Sequence, residues 1–212
     1  MPARTPPPHI SLIRCPWTWI ADPEYARYHD EEWGVPLTGS RRLFEKLILE
    51  GFQSGLSWLT ILKKRDNFRR AFDDFDADKI ASYGKRDFAR LMADAGIVRN
   101  RLKIESAIDN AKAYQAISQN QPFSHFIWGL AEPREPPAKR KSFADVPAQT
   151  EQSVMISKRL KKEGFRFAGP RTVYAFLQSS GMVNDHLVTC HRHAVCAKLQ
   201  RDLQIPGRQT KR

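Results

Sequence analysis

The sequence contains no hydrophobic run long enough to form a membrane-spanning helix, which requires about 20 consecutive apolar residues. Its first residues, MPARTPPPHISLIR, place prolines where a secretory signal peptide needs an apolar core. Membrane proteins and secreted proteins are therefore not expected from this chain.

Cysteine is also scarce, with three in 212 residues. An odd number of cysteines does not form a closed disulfide framework in a chain of this size. We expect a reducing compartment, which for this chain means the cytoplasm. The cysteines then become candidates for metal binding or for simple packing.

Acidic residues are too few to balance the basic ones. The chain has 35 Lys and Arg against 23 Asp and Glu, a net charge of +12. Much of the excess lies in residues 157–167 and 200–212. A basic surface of this kind favours a polyanionic partner. Nucleic acid is the first candidate, and an anionic membrane surface is the alternative.

Alternating strand patterns and internal repeats are absent, and helical periodicity dominates. We predict an all-α protein. Ser40 is expected to cap a helix that runs to about Glu50, and two later helices are expected to end at Gly164 and Gly181. The predicted organisation has three parts: a flexible N-terminal extension (1–13), one folded domain (14–200) and a basic flexible tail (201–212).

The segment 85–118 reads as two helices joined by a short turn, GIVRN. Gly96 is expected to adopt the left-handed conformation that ends the first helix. The polar residues that follow it, Arg99, Asn100 and Arg101, surround the start of the second helix, where backbone amides can bind a phosphate. The alternative is an ordinary helical hairpin with a solvated basic rim.

Glu50 lies inside an apolar helical run, LILEGFQSGLSW. At 100° per residue it falls on the edge of the stripe formed by Leu43 and Leu47. A glutamate near a helix end commonly turns toward solvent. The other interpretation is a carboxylate directed into a cavity.

Four residues form a possible metal set: Cys15 and His29 near the start, His186 and Cys190 near the end. The spacing of the second pair places both side chains on one helix face. Two cysteines and two histidines are a closed tetrahedral zinc combination, suited to a structural site. His191, His193 and Cys196 compete as ligands, and the alternative for Cys15 and His29 is burial in the core.

Several longer segments together resemble the 3-methyladenine DNA glycosylase I family over about residues 14–190. The segments that carry the resemblance are RCPW, DPEYARYHDEEWGVP, LFEKLILEGFQSGLSWLTILKKRDNFRRAF, DAGIVRNRLKIESAIDNAKAY and LKKEGFRFAGPRTVYAFLQSSGMVNDH. The resemblance implies a helix-hairpin-helix DNA glycosylase fold, with the hairpin at about 85–118. It also implies a structural zinc that joins the N-terminal and C-terminal segments.

The resemblance also assigns roles to individual residues. The zinc ligands are Cys15, His29, His186 and Cys190. Glu50 is the catalytic residue that reads the base, and the lesion pocket is formed by Tyr28, Trp58, Trp33, Tyr25 and Trp17. One extra residue in the PWTWIA segment leaves Trp19 as an alternative to Trp17. The DNA contacts are Leu56, which fills the gap left by the extruded nucleotide, and the turn residues Gly96, Arg99, Asn100 and Arg101.

The implied reaction is excision of 3-methyladenine, with 3-methylguanine as a second candidate, from double-stranded DNA. The enzyme flips the nucleotide out of the duplex, hydrolyses the N-glycosidic bond and leaves an abasic site. No lysine lies in a nucleophile setting, so a monofunctional glycosylase is expected. Asp185 is expected to orient the zinc site. The chain is expected to act as a monomer without an obligate protein partner.

Two other functions compete with this one. The first is a zinc-stabilised protein that binds damaged DNA without cutting it. The second is a zinc hydrolase, which would need a site with only three protein ligands.

Overall fold

The computed structural model describes residues 12–131 and 138–205, and within these ranges the secondary structure is helical, without strands. The predicted all-α class is confirmed. The ten α-helices of the described part are α1 (Pro23–Glu31), α2 (Ser40–Gln53), α3 (Trp58–Ala71), α4 (Ala77–Ala81), α5 (Lys85–Ala93), α6 (Arg101–Ser118), α7 (Phe123–Leu130), α8 (Glu151–Lys162), α9 (Pro170–Ser179) and α10 (His193–Asp202). Two single 3₁₀ turns occur at Asp73–Phe75 and Phe143–Asp145. None of the described helices has the length and apolar character needed to cross a bilayer.

Local capping explains many of the helix ends. The side chains of Asp22, Ser57, Asp76, Asn100 and Thr150 accept backbone N–H groups at the starts of α1, α3, α4, α6 and α8. Such caps satisfy amides that have no partner within the helix. Gly164 and Gly181 follow α8 and α9 with φ of +94° and +69°, as predicted for helix-ending glycines.

The start of α2 differs from the prediction. Gly39 is the N-cap and provides no side-chain cap, while Ser40 is the first helical residue. The Ser40 hydroxyl instead accepts the backbone N–H of Ser124 at the start of α7, at 3.0 Å. The hydroxyl group that was expected to cap α2 therefore forms a contact between α2 and α7 instead. The helix also continues to Gln53, so Glu50 lies within its last turn rather than at its end.

Helix α2 forms the centre of the molecule. All ten residues from Leu43 to Phe52 are buried, and the helix contacts α3, α6, α7 and α9. Its buried acidic and basic groups have partners: Glu45 pairs with Arg69 at 2.8 Å, and Lys46 lies 3.9 Å from Glu32. An ionisable group is costly to bury without such compensation. The position of α2 therefore carries Glu50 into the interior.

The predicted flexible ends lie largely outside the described residues, which exclude 1–11, 132–137 and 206–212. Helix α10 continues to Asp202, so the first residues of the predicted tail 201–212 are helical. At the other end, the carbonyl of Ile13 accepts the N–H of His191 at 2.9 Å. The start of the described chain is therefore tied to its last third.

Gly181 lies where the end of α9 closely approaches the segment that follows α1. A Cβ at Gly181 would lie 2.3 Å from the backbone of Val35 and Pro36, and its φ of +69° is unfavourable for other residues. We expect Gly181→Ala to lower the free energy of unfolding by about 2 kcal/mol or more, measured by urea denaturation. The control is Gly129→Ala, where a Cβ would meet nothing within 4 Å. That change should raise the free energy of unfolding by about 0.5–1 kcal/mol, because alanine favours the helix. Equal effects of the two changes would contradict this account.

Candidate functional site

A cavity of about 220 Å³ lies beside α1, α2, α3 and α9. Its lining combines aromatic rings with a few polar groups: Trp17, Tyr25, Tyr28, Trp33, Glu50, Gln53, Trp58, Phe143, Val146, Ala175, Gln178 and Ser179. The six pocket residues expected from the sequence (Trp17, Tyr25, Tyr28, Trp33, Glu50 and Trp58) all belong to this set. A larger open groove of about 760 Å³ runs along α8, but its lining has no aromatic residue.

The aromatic walls come from three parts of the chain. Tyr25 and Tyr28 lie one turn apart on α1, with parallel rings whose centroids are 6.3 Å apart. The ring centroid of Trp17 lies 5.1 Å from that of Tyr25 and 4.8 Å from that of Trp33, to which it is edge-on. Trp58, the first residue of α3, lies 5.4 Å from Tyr28. The rings support one another and leave a narrow space suited to a planar heterocycle.

Trp17 and Trp19, the two alternatives for the pocket, lie in different environments. Trp17 lines the cavity, whereas Trp19 is 54% exposed and sits in a turn with φ of +68°. The tryptophan of α7, Trp128, is fully buried and donates to the carbonyl of Leu37 at 2.9 Å. Trp128 is thus a core residue.

Glu50 is 4% exposed and faces the cavity rather than bulk solvent. Its Oε1 accepts a hydrogen bond from the Ser179 hydroxyl of α9 at 2.7 Å. Burial raises the pKa of Glu50 to about 7, although the charge of Lys46 and the bond from Ser179 act in the opposite direction. Glu50 is therefore a carboxylate whose charge is poised near neutral pH.

Lys46 was not expected at this site. Its Nζ lies 4.9 Å from the ring centroid of Tyr28 and 5.2 Å from that of Trp58, although Lys46 does not line the cavity. Burial lowers the pKa of this ammonium group, and the charge of Glu32 opposes that shift. Its spacing of four residues before Glu50 was a signal in the sequence, since both residues lie on one face of α2.

Sequence reasoning also missed the other half of the lining: Gln53, Phe143, Val146, Ala175, Gln178 and Ser179. Phe143 and Val146 belong to the stretch rich in proline and charge that reads as a connection between helices. Gln178 and Ser179 are more than 120 residues from Glu50, and no local pattern links them to it. Only the packing of α9 against α2 brings them together.

Asp185 does not orient the cysteine and histidine cluster, so that expectation is wrong. Its buried carboxylate accepts from Arg140 Nε at 3.0 Å, from Gln178 Nε2 at 2.8 Å and from the hydroxyl of Tyr174. Its neighbour in the chain, His186, turns the other way. Asp185 therefore lies behind the wall of the cavity and binds Gln178, which lines it.

The four expected metal-binding residues, Cys15, His29, His186 and Cys190, come together as a buried cluster. Their potential ligand atoms all lie within 4.8 Å of one another. Cys190 Sγ is 3.5 Å from His29 Nε2 and 3.5 Å from His186 Nδ1, and Cys15 Sγ is 3.6 Å from His186 Nδ1. This arrangement can hold a metal ion.

The outer nitrogens of both rings face hydrogen-bond acceptors. His186 Nε2 lies 2.9 Å from the carbonyl of Trp33, and His29 Nδ1 lies 2.8 Å from a carboxylate oxygen of Asp30. An N–H at each outer nitrogen would donate to its acceptor and leave the other ring nitrogen to bind a metal in the cluster. A hydrogen bond from the thiol of Cys15 lowers the pKa of Cys190. The pair thus favours one thiolate, and binding of a metal through both sulfurs would require the second thiol to lose its proton as well.

The competing ligands lie outside this four-residue cluster. Cys196 Sγ is 3.9 Å from the carbonyl of Trp33, and His193 Nε2 is 3.3 Å from the carbonyl of Ala138. His191 Nε2 lies 2.9 Å from Asp30, on the outer side of His29. The group of His29, Asp30 and His191 is a second, less buried set of possible ligands.

The turn between α5 and α6 is anchored on α3. Lys64 Nζ donates to the carbonyls of Ala95 and Gly96 at 2.9 and 3.3 Å. Gly96 does not take the left-handed conformation, so that prediction is wrong. A Cβ there would lie 2.9 Å from Asp94 Oδ1 and 3.1 Å from Asn67 Cβ, so a larger residue would force these side chains to move. Arg99, Asn100 and Arg101 are exposed beyond it.

Leu56 lies in the tight turn between α2 and α3 and is 41% exposed. Gly55, directly before it, has φ of +80°. The ammonium group of Lys103, in the first turn of α6, donates to the carbonyls of Phe52 and Ser54 at 2.8 and 2.6 Å. The loop that carries Leu56 is thereby fixed to the helix that begins at the exposed turn residues.

Comparisons with known proteins agree on one family. The profile of the methyladenine glycosylase family matches residues 17–193. DNA-3-methyladenine glycosylase 1 of Escherichia coli is 47% identical over 180 residues, which cover 84% of this chain and 96% of that protein. DNA-3-methyladenine glycosylase of Haemophilus influenzae is 46% identical over 178 residues, again 84% and 96% of the two chains.

Solved structures show the same similarity. A crystal structure of 3-methyladenine DNA glycosylase I superposes with a TM-score of 0.83 at 44% identity, covering 85% of this chain and all of that one. A structure of the Staphylococcus aureus enzyme, described as the basis of 3-methyladenine recognition, gives a TM-score of 0.78 at 39% identity, with coverage of 81% and 92%.

The raised pKa of Glu50 makes stability depend on pH. Its folded pKa is about 7, against an ordinary value of 4.5, so between these pH values the folded chain keeps a proton that the unfolded chain has lost. The free energy of unfolding therefore falls as the pH rises through this window, by about 3 kcal/mol. We expect Glu50→Gln, which cannot ionise, to gain stability relative to the wild type by this amount between pH 4.5 and 8. Urea denaturation across this range measures it, and a constant difference between the two proteins would contradict the burial of an ionisable Glu50.

Proposed function

This chain belongs to the methyladenine glycosylase family, and on that premise we propose that it excises 3-methyladenine from alkylated DNA. Hydrolysis of the N-glycosidic bond releases the free base and leaves an abasic site, and 3-methylguanine is a second candidate substrate. The observation that carries the proposal is the buried carboxylate of Glu50 inside an aromatic cavity. Binding of the DNA backbone alone would require neither feature.

The chemistry of the lesion matches this cavity. A purine methylated at N3 carries a positive charge within DNA, and an electron-rich ring attracts such a cation by about 0.5–2 kcal/mol. Tyr28 and Trp58 supply ring faces, and Glu50 supplies a negative charge and a hydrogen-bond acceptor for the base edge. An undamaged, neutral purine lacks the charge and gains less from the same groups.

The proposed reaction requires the base to leave the duplex, at a cost of a few kcal/mol. Once the cationic base is held in the cavity, cleavage of its bond to the sugar neutralises it, so little acid catalysis is needed. Water attacks the sugar carbon. Lys46 is the buried lysine nearest Glu50 along α2; its ammonium group lies over the rings of Tyr28 and Trp58 and does not line the cavity. The position of this lysine supports a monofunctional enzyme without a Schiff base.

We propose that α5, the turn and α6 act as the helix-hairpin-helix element at about 85–118, within a glycosylase domain of residues 14–200. The exposed start of α6, with Arg99, Asn100 and Arg101, suits a DNA phosphate. Leu56 is exposed two residues before Trp58, and we propose that it fills the space left by the extruded nucleotide. The three cysteines are free and buried, as expected in a reducing compartment. We therefore propose that the chain acts on DNA in the cytoplasm.

We propose Zn²⁺ as the ion of the Cys₂His₂ cluster. Four ligands arranged tetrahedrally at 2.0–2.3 Å from zinc lie about 3.3–3.8 Å from one another. The three sulfur–nitrogen separations of 3.5, 3.5 and 3.6 Å agree with this spacing. Zinc bound by four protein groups supplies structural stabilisation and no open position for a reacting water, which disfavours a zinc hydrolase. It would join residues near both ends of the folded chain.

The reaction is tested by chromatography of the bases released from methylated duplex DNA. We expect free 3-methyladenine with the DNA strand left unbroken. Glu50→Gln should reduce the rate of excision about a hundredfold or more while the far-ultraviolet circular dichroism stays unchanged, because the charge that attracts the lesion is removed. The matched control is Glu163→Gln, which lies at the end of α8 and pairs with Arg159. It should excise at the wild-type rate.

Two outcomes would contradict the proposal. Folded wild-type protein that binds methylated DNA and releases no base would favour the protein that recognises damage without cutting. Full activity of Glu50→Gln would leave excision intact and remove Glu50 from its proposed role.

The metal assignment is tested with a pair of cysteine variants. Cys190→Ala should lower the zinc content, measured by atomic absorption, and the melting temperature by about 5–15 °C, since metal binding stabilises the fold. Cys196→Ala, also fully buried but outside the four-residue cluster, should retain one zinc per chain. Full zinc content in Cys190→Ala would show that the ion lies elsewhere.

A further inference from the structure

Gln178 lies on the wall of the cavity formed by α9, next to Ser179, the residue that donates to Glu50. It is not aromatic and carries no charge, so the attraction of a cation does not explain it. An amide side chain offers a donor at one end and an acceptor at the other. Which end it presents to a base decides what it can recognise.

Asp185 fixes the direction of this amide. Gln178 Nε2 donates to Asp185 Oδ2 at 2.8 Å, while Arg140 Nε donates to the other carboxylate oxygen at 3.0 Å. Asp185 also accepts from the hydroxyl of Tyr174, so both of its carboxylate oxygens already serve as acceptors. The reverse orientation of the amide would place two acceptors against each other. The NH₂ group therefore faces Asp185.

The oxygen of the same amide is left free. Gln178 Oε1 has no hydrogen-bond partner among residues 12–131 and 138–205. The backbone of Gln178 is also held, because its carbonyl accepts the N–H groups of Gly34 and Gly181 at 3.1 and 3.2 Å. The side chain thus offers one fixed acceptor from the cavity wall.

The two purines differ at the group that such an acceptor would meet. Adenine carries an exocyclic amine, a donor with two hydrogens, where guanine carries a carbonyl oxygen. An acceptor in a confined site pairs with the amine and repels the carbonyl. Sites that rely on such a hydrogen bond reject a mismatched analogue far more strongly than shape alone does.

We propose that Gln178 is a specificity-determining residue, whose amide oxygen accepts a hydrogen bond from the exocyclic amine of a 3-methylated adenine and rejects the carbonyl of 3-methylated guanine. Asp185 acts through Gln178 as a positioning residue. The inference rests on the proposed function and deepens it, because it ranks the two candidate substrates in favour of adenine.

The test compares Gln178→Met with the wild type on methylated duplex DNA. Methionine keeps the length of the side chain and removes the acceptor. We expect excision of 3-methyladenine to fall at least tenfold, with 3-methylguanine excision unchanged or increased, so that the ratio of kcat/KM for the two bases falls at least tenfold. Gln115→Met is the matched control, because Gln115 also donates to an aspartate, Asp78, at 2.9 Å, but lies on the surface of α6. Its ratio should stay at the wild-type value.

An equal loss on both bases, or an unchanged ratio in folded Gln178→Met, would overturn the proposal while leaving the glycosylase activity in place. Gln178→Ala serves as a second variant and should show the same change in ratio. Asp185→Asn, which offers the amide a donor as well as an acceptor, should lower the ratio by a smaller factor. An unchanged ratio in Asp185→Asn would remove Asp185 from the account.

Binding of free bases separates the failure of this inference from the failure of the proposed function. By titration calorimetry, the wild type should bind 3-methyladenine more tightly than 3-methylhypoxanthine, its analogue with a carbonyl in place of the amine, and Gln178→Met should lose at least tenfold of this preference. Wild-type protein that keeps the preference without cutting DNA would overturn the excision and retain Gln178. A preference unchanged in Gln178→Met would overturn Gln178 alone.

Discussion

The burial of an ionisable group on the central helix constrains much of this structure. Helix α2 is enclosed from Leu43 to Phe52, so Glu50 can occupy it only with compensating contacts. Ser179 donates to Glu50 from α9, and Lys46 contributes a positive charge from the preceding turn. Lys46 in turn depends on Glu32, which also pairs with Arg65 of α3. The charged groups around the cavity are therefore connected to one another by hydrogen bonds and ion pairs.

The Cys₂His₂ cluster and the cavity share parts of the chain. Cys15 lies two residues before Trp17, His29 follows Tyr28 directly, and the carbonyl of Trp33 accepts from His186. The positions of the four cluster residues are therefore coupled through the chain to those of Trp17, Tyr28 and Trp33. A structural ion at this position would contribute to recognition without touching the base, since it would hold the walls at their distances. The N-terminal segment therefore contributes residues to both the cluster and the cavity, in addition to preceding the helices.

Local signals in the sequence predicted the features that depend on local chemistry. The glycines that end α8 and α9 follow from backbone groups within a few residues, and the structure has them. Glu50 was recognisable because a carboxylate within an apolar run contradicts its surroundings. Ser40 and Asp185 were misread because their partners lie on distant elements that no local pattern identifies. Gln178 gave no signal for the same reason: its role arises only where α9 meets the cavity.

The turn between α2 and α3 links the two halves of the proposed reaction. Within four residues it passes from Gly55 through the exposed Leu56 to Trp58, whose ring borders the cavity. Lys103 holds the start of this turn from the first turn of α6, next to the residues proposed to bind phosphate. A DNA strand seated on α6 would therefore stand at a fixed distance from Leu56, and Leu56 at a fixed distance from the wall of the cavity. Because these distances are set in the structure without DNA, the energy of the proposed backbone binding would be used to extrude the base instead of ordering the protein.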